Sequence, residues 1–379
     1  MNFNTELIHG GSSEDPQTGA VSIPIYRAST FHQHALSAGP KWEYGRSGNP
    51  TRAALESLAA QIEGGTAAFA FASGSAAIHT VFSLFSAGDH IIVGNDVYGG
   101  TFRLINQFLK RFGLLFTVVD TRDLTAVTDA IQPNTKAIYL ETPTNPLLNI
   151  SDIKALAQIA KAHGLRTIVD NTFATPYNQQ PLALGADIVV HSATKYLGGH
   201  SDLIAGLAIT NDDQIAKQLA FLQNSIGAVL SPDDSWLLQR GIKTLGVRMR
   251  AHEENARTIF TYLKSNAKVA KVYYPGDPDS AGYDIAKKQM TGFGAMISFE
   301  LNKSLDTQKF VESLKIIDLA ESLGGIESLI EVPAVMTHAA IPREIRIQNG
   351  IQDELIRLSV GLEDIDDLLN DLKGAFDQI

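Results

Sequence analysis

The sequence contains no cysteine. That absence excludes disulfides, thiolate metal sites and a cysteine nucleophile together. Basic runs are missing too. The 31 lysines and arginines are outnumbered by 41 aspartates and glutamates, net charge is −10, and no block of like charges occurs. Nucleic acids and anionic membrane surfaces select for basic stripes, so neither is expected as a partner. No apolar run approaches the ~20 residues that a membrane-crossing helix needs. The opening stretch MNFNTELIHGG has neither the basic nor the apolar segment of a secretion signal, and a cytoplasmic protein is expected. The ten histidines show no metal-ligand spacing, and HEEN (252–255) lacks the second histidine of a zinc-protease motif. Internal repeats and low-complexity tracts are absent.

What is present is an ordinary globular composition, 44% apolar and 19% charged. A chain of 379 residues is long enough for two domains. Residues 1–46 are irregular and rich in Gly, Ser, Pro and Thr, an arm expected to pack on something else. Regular patterns then begin. Helical segments at 53–65, 74–89, 101–113 and 151–164 alternate with apolar strand-like runs at 67–73, 90–95, 114–120, 136–143, 166–171, 187–192 and 204–210. In the helix at 151–164, Ser151 is the expected cap, Ile153, Leu156, Ala157 and Ala160 share one face, and Gly164 ends it. Strands separated by helices require crossovers, hence a mainly parallel sheet, and runs apolar throughout fit strands covered on both faces. This α/β domain is expected over 47–241. A smaller α+β C-terminal domain over 242–379 follows from long helical patterns and short strands such as AMISFEL and LIRLSVGL.

In open parallel sheets, ligands sit at the carboxyl ends of strands. The polar residues expected there are Ser73, Gly74 and Ser75; Tyr98; Glu141, Thr142 and Asn145; Asp170; and Ser192, Thr194 and Lys195. A Gly-Ser turn opening a helix offers backbone N–H groups and a positive dipole end, the ingredients of a phosphate site. Ser192 and Thr194 would add hydroxyl donors. A carboxylate ending an apolar strand, as Asp170 does, needs a positive partner, and a protonated pyridine nitrogen supplies one. Lys195 would be the amine that forms a Schiff base with an aldehyde. Each feature alone has a plainer reading: a solvated loop lysine, a turn-forming aspartate, a capped helix start. Their occurrence together at successive strand ends matches what pyridoxal phosphate requires. Arg357 is the one charge inside the apolar strand LIRLSV, so it needs a buried anion. That anion is either a substrate carboxylate or a structural salt-bridge partner.

Six motifs in order, YGRSGNPT (44–51), NDVYGGT (95–101), ETPTNP (141–146), VDNTFATP (169–176), HSATKYLGGHSD (191–202) and AESLGGIESL (320–329), resemble the Cys/Met-metabolism pyridoxal-phosphate enzymes. This is the cystathionine γ-synthase, γ-lyase and β-lyase group, with methionine γ-lyase. The resemblance spans essentially the whole chain. It implies the fold type I, aminotransferase-like α/β architecture and a homotetramer built of two active dimers. By the same resemblance Lys195 carries the covalent link to the cofactor and Asp170 pairs with its ring nitrogen. Gly74, Ser75, Ser192 and Thr194 hold the phosphate. Tyr98 stacks on the ring and is a catalytic candidate for proton transfer, and Asn145 lies near the ring oxygen. Tyr44 and Arg46 of the neighbouring subunit reach the phosphate. Ser322 and Arg357 bind the substrate carboxylate, Glu321 meets a distal amine, and Arg103 matches a family arginine of less defined role. Two positions depart from the pattern. Gly45 replaces a small hydroxyl residue, and His191 occupies a variable position, where it is expected to pack rather than act as a base.

Within the group, Glu321 before Ser322 resembles γ-lyases and γ-synthases, whereas β-lyases tend to have an aromatic residue there. Gly100 stands where methionine γ-lyases usually have cysteine. The resemblance therefore implies α,γ-elimination of L-cystathionine to L-cysteine, 2-oxobutyrate and ammonia. Cystathionine γ-synthase is the first alternative and β-lyase the second. A cofactor-binding regulatory protein without turnover is a further class, which no appended DNA-reading helix or basic patch supports.

Overall fold

The computed structural model describes residues 1–379 except 12, 13, 16, 37, 38, 40 and 340. Seven strands form the larger sheet: β1 (Ala67–Phe71), β2 (His90–Gly94), β3 (Leu115–Val119), β4 (Thr135–Glu141), β5 (Arg166–Asp170), β6 (Ile188–Ser192) and β7 (Gly206–Thr210). Their order is β1-β7-β6-β5-β4-β2-β3. β7 pairs antiparallel with both β1 and β6, and every other pairing is parallel. The carboxyl ends of β1, β2, β4, β5 and β6 therefore open on one edge. The central strands are buried on both faces: Ile91, Ile92, Ile138, Leu140, Ile168, Val169, Val189 and Val190 are all sealed from solvent. Each such side chain contributes roughly 1.5–3 kcal/mol by leaving water.

A second sheet of five strands, β8 (Val269–Tyr273), β9 (Met296–Leu301), β10 (Asp318–Leu319), β11 (Leu329–Glu331) and β12 (Leu355–Ser359), has the order β10-β11-β12-β9-β8. Its core brings Phe299, Ile297 and Leu358 against Phe310, Leu372 and Phe376 from helices Thr307–Glu312 and Ile365–Phe376. Both families of elements are present, so the chain is the expected α/β fold with a large, mainly parallel sheet. No helix among the described residues is long and apolar enough to cross a membrane.

Two local expectations are corrected. The helix Ile153–Ala162 is capped by Asp152, whose carboxylate accepts from the Ala155 N–H, not by Ser151. The Ser151 hydroxyl is instead bonded to that of Thr121, 2.7 Å away. The segment expected as one helix over 101–113 is wound in three styles. It is α-helical over Gly99–Arg103, wider over Leu104–Phe108 and tighter over Leu109–Phe112, and it stops at Gly113 with φ +83°. The arm packs on its own chain. The Tyr26 N–H donates to the Thr51 hydroxyl, the Trp236 indole to the Ile23 carbonyl, and Arg27 pairs with Asp233.

Candidate active site

The two sheets meet around a cavity of about 230 Å³. Its wall includes Gly74, Ser75, Tyr98, Asn145, Asp170, Ser192, Thr194, Lys195, Glu321, Ser322 and Arg357, eleven of the site residues expected from sequence. Three others lie elsewhere on this chain. Arg103 is exposed and belongs to a neighbouring concavity with Ser75, Gly100 and Phe108. Tyr44 is 47% exposed, and the Arg46 guanidinium lies 5.7 Å from its ring and donates to the Asn224 carbonyl. Ser73, Glu141, Thr172, Phe173, Ile78, Ile204, Leu323 and Thr337 complete the wall. Of these, only Ser73 and Glu141 carried a signal in the sequence, through their places at strand ends.

The β1 end supplies an anion cradle. Ser73 caps the helix Gly74–Phe82 by accepting from the Ala76 N–H at 3.0 Å. The N–H groups of Gly74 and Ser75 have no acceptor among the described residues. A Cβ on Gly74 would come within 2.8 Å of Ser192 Cβ, so only glycine allows β6 this close to the helix start. The Thr194 hydroxyl also lines the wall and is bonded to the Ala205 backbone, donating to its carbonyl and accepting from its N–H at 3.1 Å each.

Lys195 follows β6 on a tight turn. The Gly198 N–H donates to the Ala193 carbonyl and the Gly199 N–H to the Lys195 carbonyl. Gly199 makes room for Arg248, from the helix Leu245–Ser265. A Cβ at Gly199 would meet Arg248 Nη1 at 2.1 Å, and φ there is +75°. The Arg248 guanidinium donates to the Tyr196 carbonyl at 2.7 Å and to the Gly241 carbonyl at 2.8 Å. A buried cation thus locks the lysine-bearing turn, and sequence reasoning did not find it. Lys195 Nζ donates to Ser322 Oγ at 2.8 Å. Burial, reinforced by the Arg357 charge, lowers the Lys195 pKa to about 8.

Arg357, on β12, is buried with Glu331 of β11; the guanidinium and carboxylate are 3.1 Å apart. It also donates to Asn145 Oδ1 at 2.7 Å and to the Ser322 carbonyl at 2.9 Å. The Thr337 hydroxyl donates to the same Glu331 oxygen, Oε1, at 2.8 Å. The salt-bridge reading of Arg357 is thus present in the molecule, and the guanidinium still lines the cavity. Asp170 ends β5 fully buried. Its Oδ1 accepts from the Thr172 N–H at 3.0 Å and the Thr172 hydroxyl at 2.6 Å, and its Oδ2 accepts from Tyr139 at 3.3 Å. Burial raises its pKa, and the Thr172 hydrogen bonds oppose that. His191 is more than a packing residue: its Nε2 lies 2.9 Å from Glu63 in a buried pair.

The donor set fits pyridoxal phosphate. Unpaired N–H groups at a helix start suit a phosphate, a buried carboxylate suits a protonated ring nitrogen, and a desolvated lysine amine suits an aldehyde. The family model for Cys/Met metabolism PLP-dependent enzymes matches residues 4–377. A cystathionine beta-lyase of Lactococcus lactis subsp. cremoris is 60% identical over 376 residues, covering 99% of each chain. A cystathionine gamma-lyase of Bacillus subtilis (strain 168) is 54% identical over 379 residues, covering 100% of each. The crystal structure of a cystathionine gamma-lyase from Lactobacillus plantarum complexed with L-serine has a TM-score of 0.99 and 66% identity over 100% of this chain and 99% of that one. The chain belongs to the Cys/Met metabolism family of PLP-dependent enzymes, and its cofactor is pyridoxal phosphate.

Proposed function

We propose that the protein catalyses α,γ-elimination of L-cystathionine, giving L-cysteine, 2-oxobutyrate and ammonia with uptake of one water. The observation that carries this reading is the pair of opposite charges on the cavity wall. Arg357 lies buried inside, and Glu321 is exposed to solvent while still lining the cavity. A substrate with a carboxylate at one end and a distal ammonium at the other matches that polarity. Pyridoxal phosphate supplies an aldehyde that condenses with amines and a protonated ring that accepts electrons. The chain's residues do the rest. Asp170 holds the ring-nitrogen proton. Arg357 and Ser322 orient the substrate carboxylate. Lys195, with its pKa lowered to about 8, takes the α-proton and returns it, the behaviour of a base tuned near working pH. Tyr98 protonates the leaving sulfur. Ile204 and Phe173 limit water on the apolar part of the wall.

In this reading the working unit is a homotetramer, in which Tyr44 and Arg46 serve the neighbouring subunit's phosphate. Their exposure and their distance from this chain's own cavity support that. β-Elimination is the second reading, favoured by the 60% identity to a relative named cystathionine beta-lyase. The products separate the readings. Incubation with L-cystathionine is expected to release 2-oxobutyrate and cysteine in equal amounts. Pyruvate with homocysteine as the dominant pair overturns the γ-lyase reading in favour of β-elimination. Turnover that requires an O-acylhomoserine and added cysteine overturns it in favour of γ-synthase chemistry.

A further inference from the structure

Two carboxyl groups face the cavity from neighbouring strands. Glu141 ends β4 and Asp170 ends β5, and the two are register partners in this parallel pair. Register partners point to the same face of a sheet, on strands about 4.8 Å apart. Both side chains line the cavity, and both are buried, at 4% and 5% exposure. Two like charges this close in a dry site do not both ionise at neutral pH. The hydrogen-bond donors decide which group keeps its proton. Asp170 accepts from three donors: the Thr172 N–H, the Thr172 hydroxyl and the Tyr139 hydroxyl. Among the described residues Glu141 accepts from one, the Tyr98 backbone N–H at 2.9 Å.

The other groups around Glu141 leave this balance in place. Asp96, on the segment after β2, adds negative charge, and Arg357 on β12 opposes it. Tyr139, two residues back on β4, is a buried phenol whose ionisation is pushed far above its usual range, by burial first and then by Asp170 and Glu141. Burial and the Asp170 charge push the Glu141 pKa well above the ordinary carboxyl range. A protonated ring nitrogen on Asp170 strengthens the same division.

Tyr98 needs the tie that Glu141 provides. The residue is 42% exposed, and no hydrogen bond of its hydroxyl occurs among the described residues. The backbone bond to Glu141 fixes where the side chain departs from the segment after β2. Asp96, two residues earlier, is stitched to the same β4 loop by Thr144 at 2.5 Å and Asn149 at 3.2 Å. We propose that Glu141 is the positioning residue for Tyr98: the neutral member of a carboxyl pair, it holds the Tyr98 backbone at the cavity while Asp170 carries the charge. This rests on the placement of Tyr98 against the cofactor ring, not on which elimination the enzyme performs.

The test titrates apoprotein with pyridoxal phosphate and follows the visible circular dichroism of the bound cofactor. Glu141→Gln keeps a neutral carbonyl acceptor for the Tyr98 N–H. Its Kd is expected within about twofold of wild type, with the same pH midpoint of the visible spectrum. Glu141→Leu removes the acceptor and is expected to raise Kd about tenfold, the loss of one buried hydrogen bond. In a Tyr98→Ala background the Leu substitution should add less than about twofold, because the residue it positions is gone. A tenfold loss in Glu141→Gln, or a shifted pH midpoint in that variant, shows a charged role and overturns the proposal. So does a full tenfold loss from Glu141→Leu without Tyr98. The Gln variant decides the matter even if the Leu variant does not fold. The identity of the keto acid released from L-cystathionine enters none of these readouts, so the γ-lyase reading can fail independently.

Discussion

A lysine in water holds its proton to about pH 10.5, and Lys195 releases it near 8. At pH 7.5 a group with the lower value is about one quarter neutral, and one with the ordinary value about one thousandth neutral. The fold therefore presents on the order of 200-fold more free amine at that pH. The perturbation is pH, applied to the apoprotein, and the assay is the initial rate at which the visible chromophore forms with pyridoxal phosphate. The reference is the same reaction with a free lysine side-chain amine, which corrects for titration of the aldehyde reagent. Between pH 6 and 7 the protein rate should rise about ninefold, and between pH 9 and 10 it should change by about a tenth or less. The reference amine should rise about tenfold in the first interval and about eightfold in the second. Glu331→Gln removes a negative charge that favours the protonated lysine, so the midpoint should move below 8. The linkage sign agrees. The unfolded chain keeps this proton to about 10.5 and the folded apoprotein sheds it near 8, so between those values the unfolded state binds more protons and stability rises with pH. A protein rate still climbing about eightfold between pH 9 and 10, as the reference does, refutes the reasoning.

Three further outcomes follow from named contacts. Glu321→Ala should raise KM for L-cystathionine about three- to tenfold, as expected for an exposed charge contact, and leave kcat within about twofold; an unchanged KM removes Glu321 from substrate recognition. Gly100→Ala places a methyl 2.2 Å from the Tyr98 ring, which must swing aside. Thermal stability should hold within about 0.5 kcal/mol because the ring is half-exposed, while kcat falls at least about tenfold, and equal loss of both contradicts the role given to Tyr98. Asp96 has its pKa raised from 3.8 to about 6 by burial, so the folded state binds its proton more tightly and this group's stabilisation, full below 3.8, is lost as pH rises through 6. Asp96→Asn should therefore flatten urea-unfolding stability between pH 4 and 6, and an unaltered slope counts against a protonated Asp96.

The strands were legible because each is apolar along its length and bounded by turn residues, the pattern of a sheet covered on both faces. The reversed direction of β7 was not, because GLAIT is as buried as its parallel neighbours and apolarity does not encode direction. The usable signal lay in the connection: Ser192 to Gly206 carries the Lys195 turn and no crossover helix, which a parallel return requires. Ser151 and Asp152 are adjacent residues of equal capping ability, and the choice between them fell to Thr121, a residue 30 positions away. At the site, residues that end strands were visible by position. Glu331, Thr337 and Arg248 were not, because each matters through a partner far along the chain: Glu331 through Arg357, Thr337 through Glu331, and Arg248 through the Tyr196 carbonyl. Arg357 stood open between two anions, and the molecule contains one of them.

Ser322 shows why those long-range partners matter. Its φ of +93° lies well beyond the left-handed helical value near +57° and is costly for a residue with a side chain, on the order of 1–3 kcal/mol. Glycine would remove the strain but also the hydroxyl that Lys195 Nζ reaches at 2.8 Å. The same residue's carbonyl accepts from Arg357 at 2.9 Å. One backbone position thus meets Lys195 with its side chain and Arg357 with its main chain, at a positive φ. Arg357 is fixed in turn by Asn145, from the loop that follows β4 of the larger sheet, and by Glu331 from the smaller sheet. Lys195, the proposed base, and Arg357, the proposed carboxylate anchor, are therefore held in mutual register by a strained residue between them. Neither can be set correctly until both sheets are docked, so the geometry of the reaction is a property of the seam and not of either sheet alone.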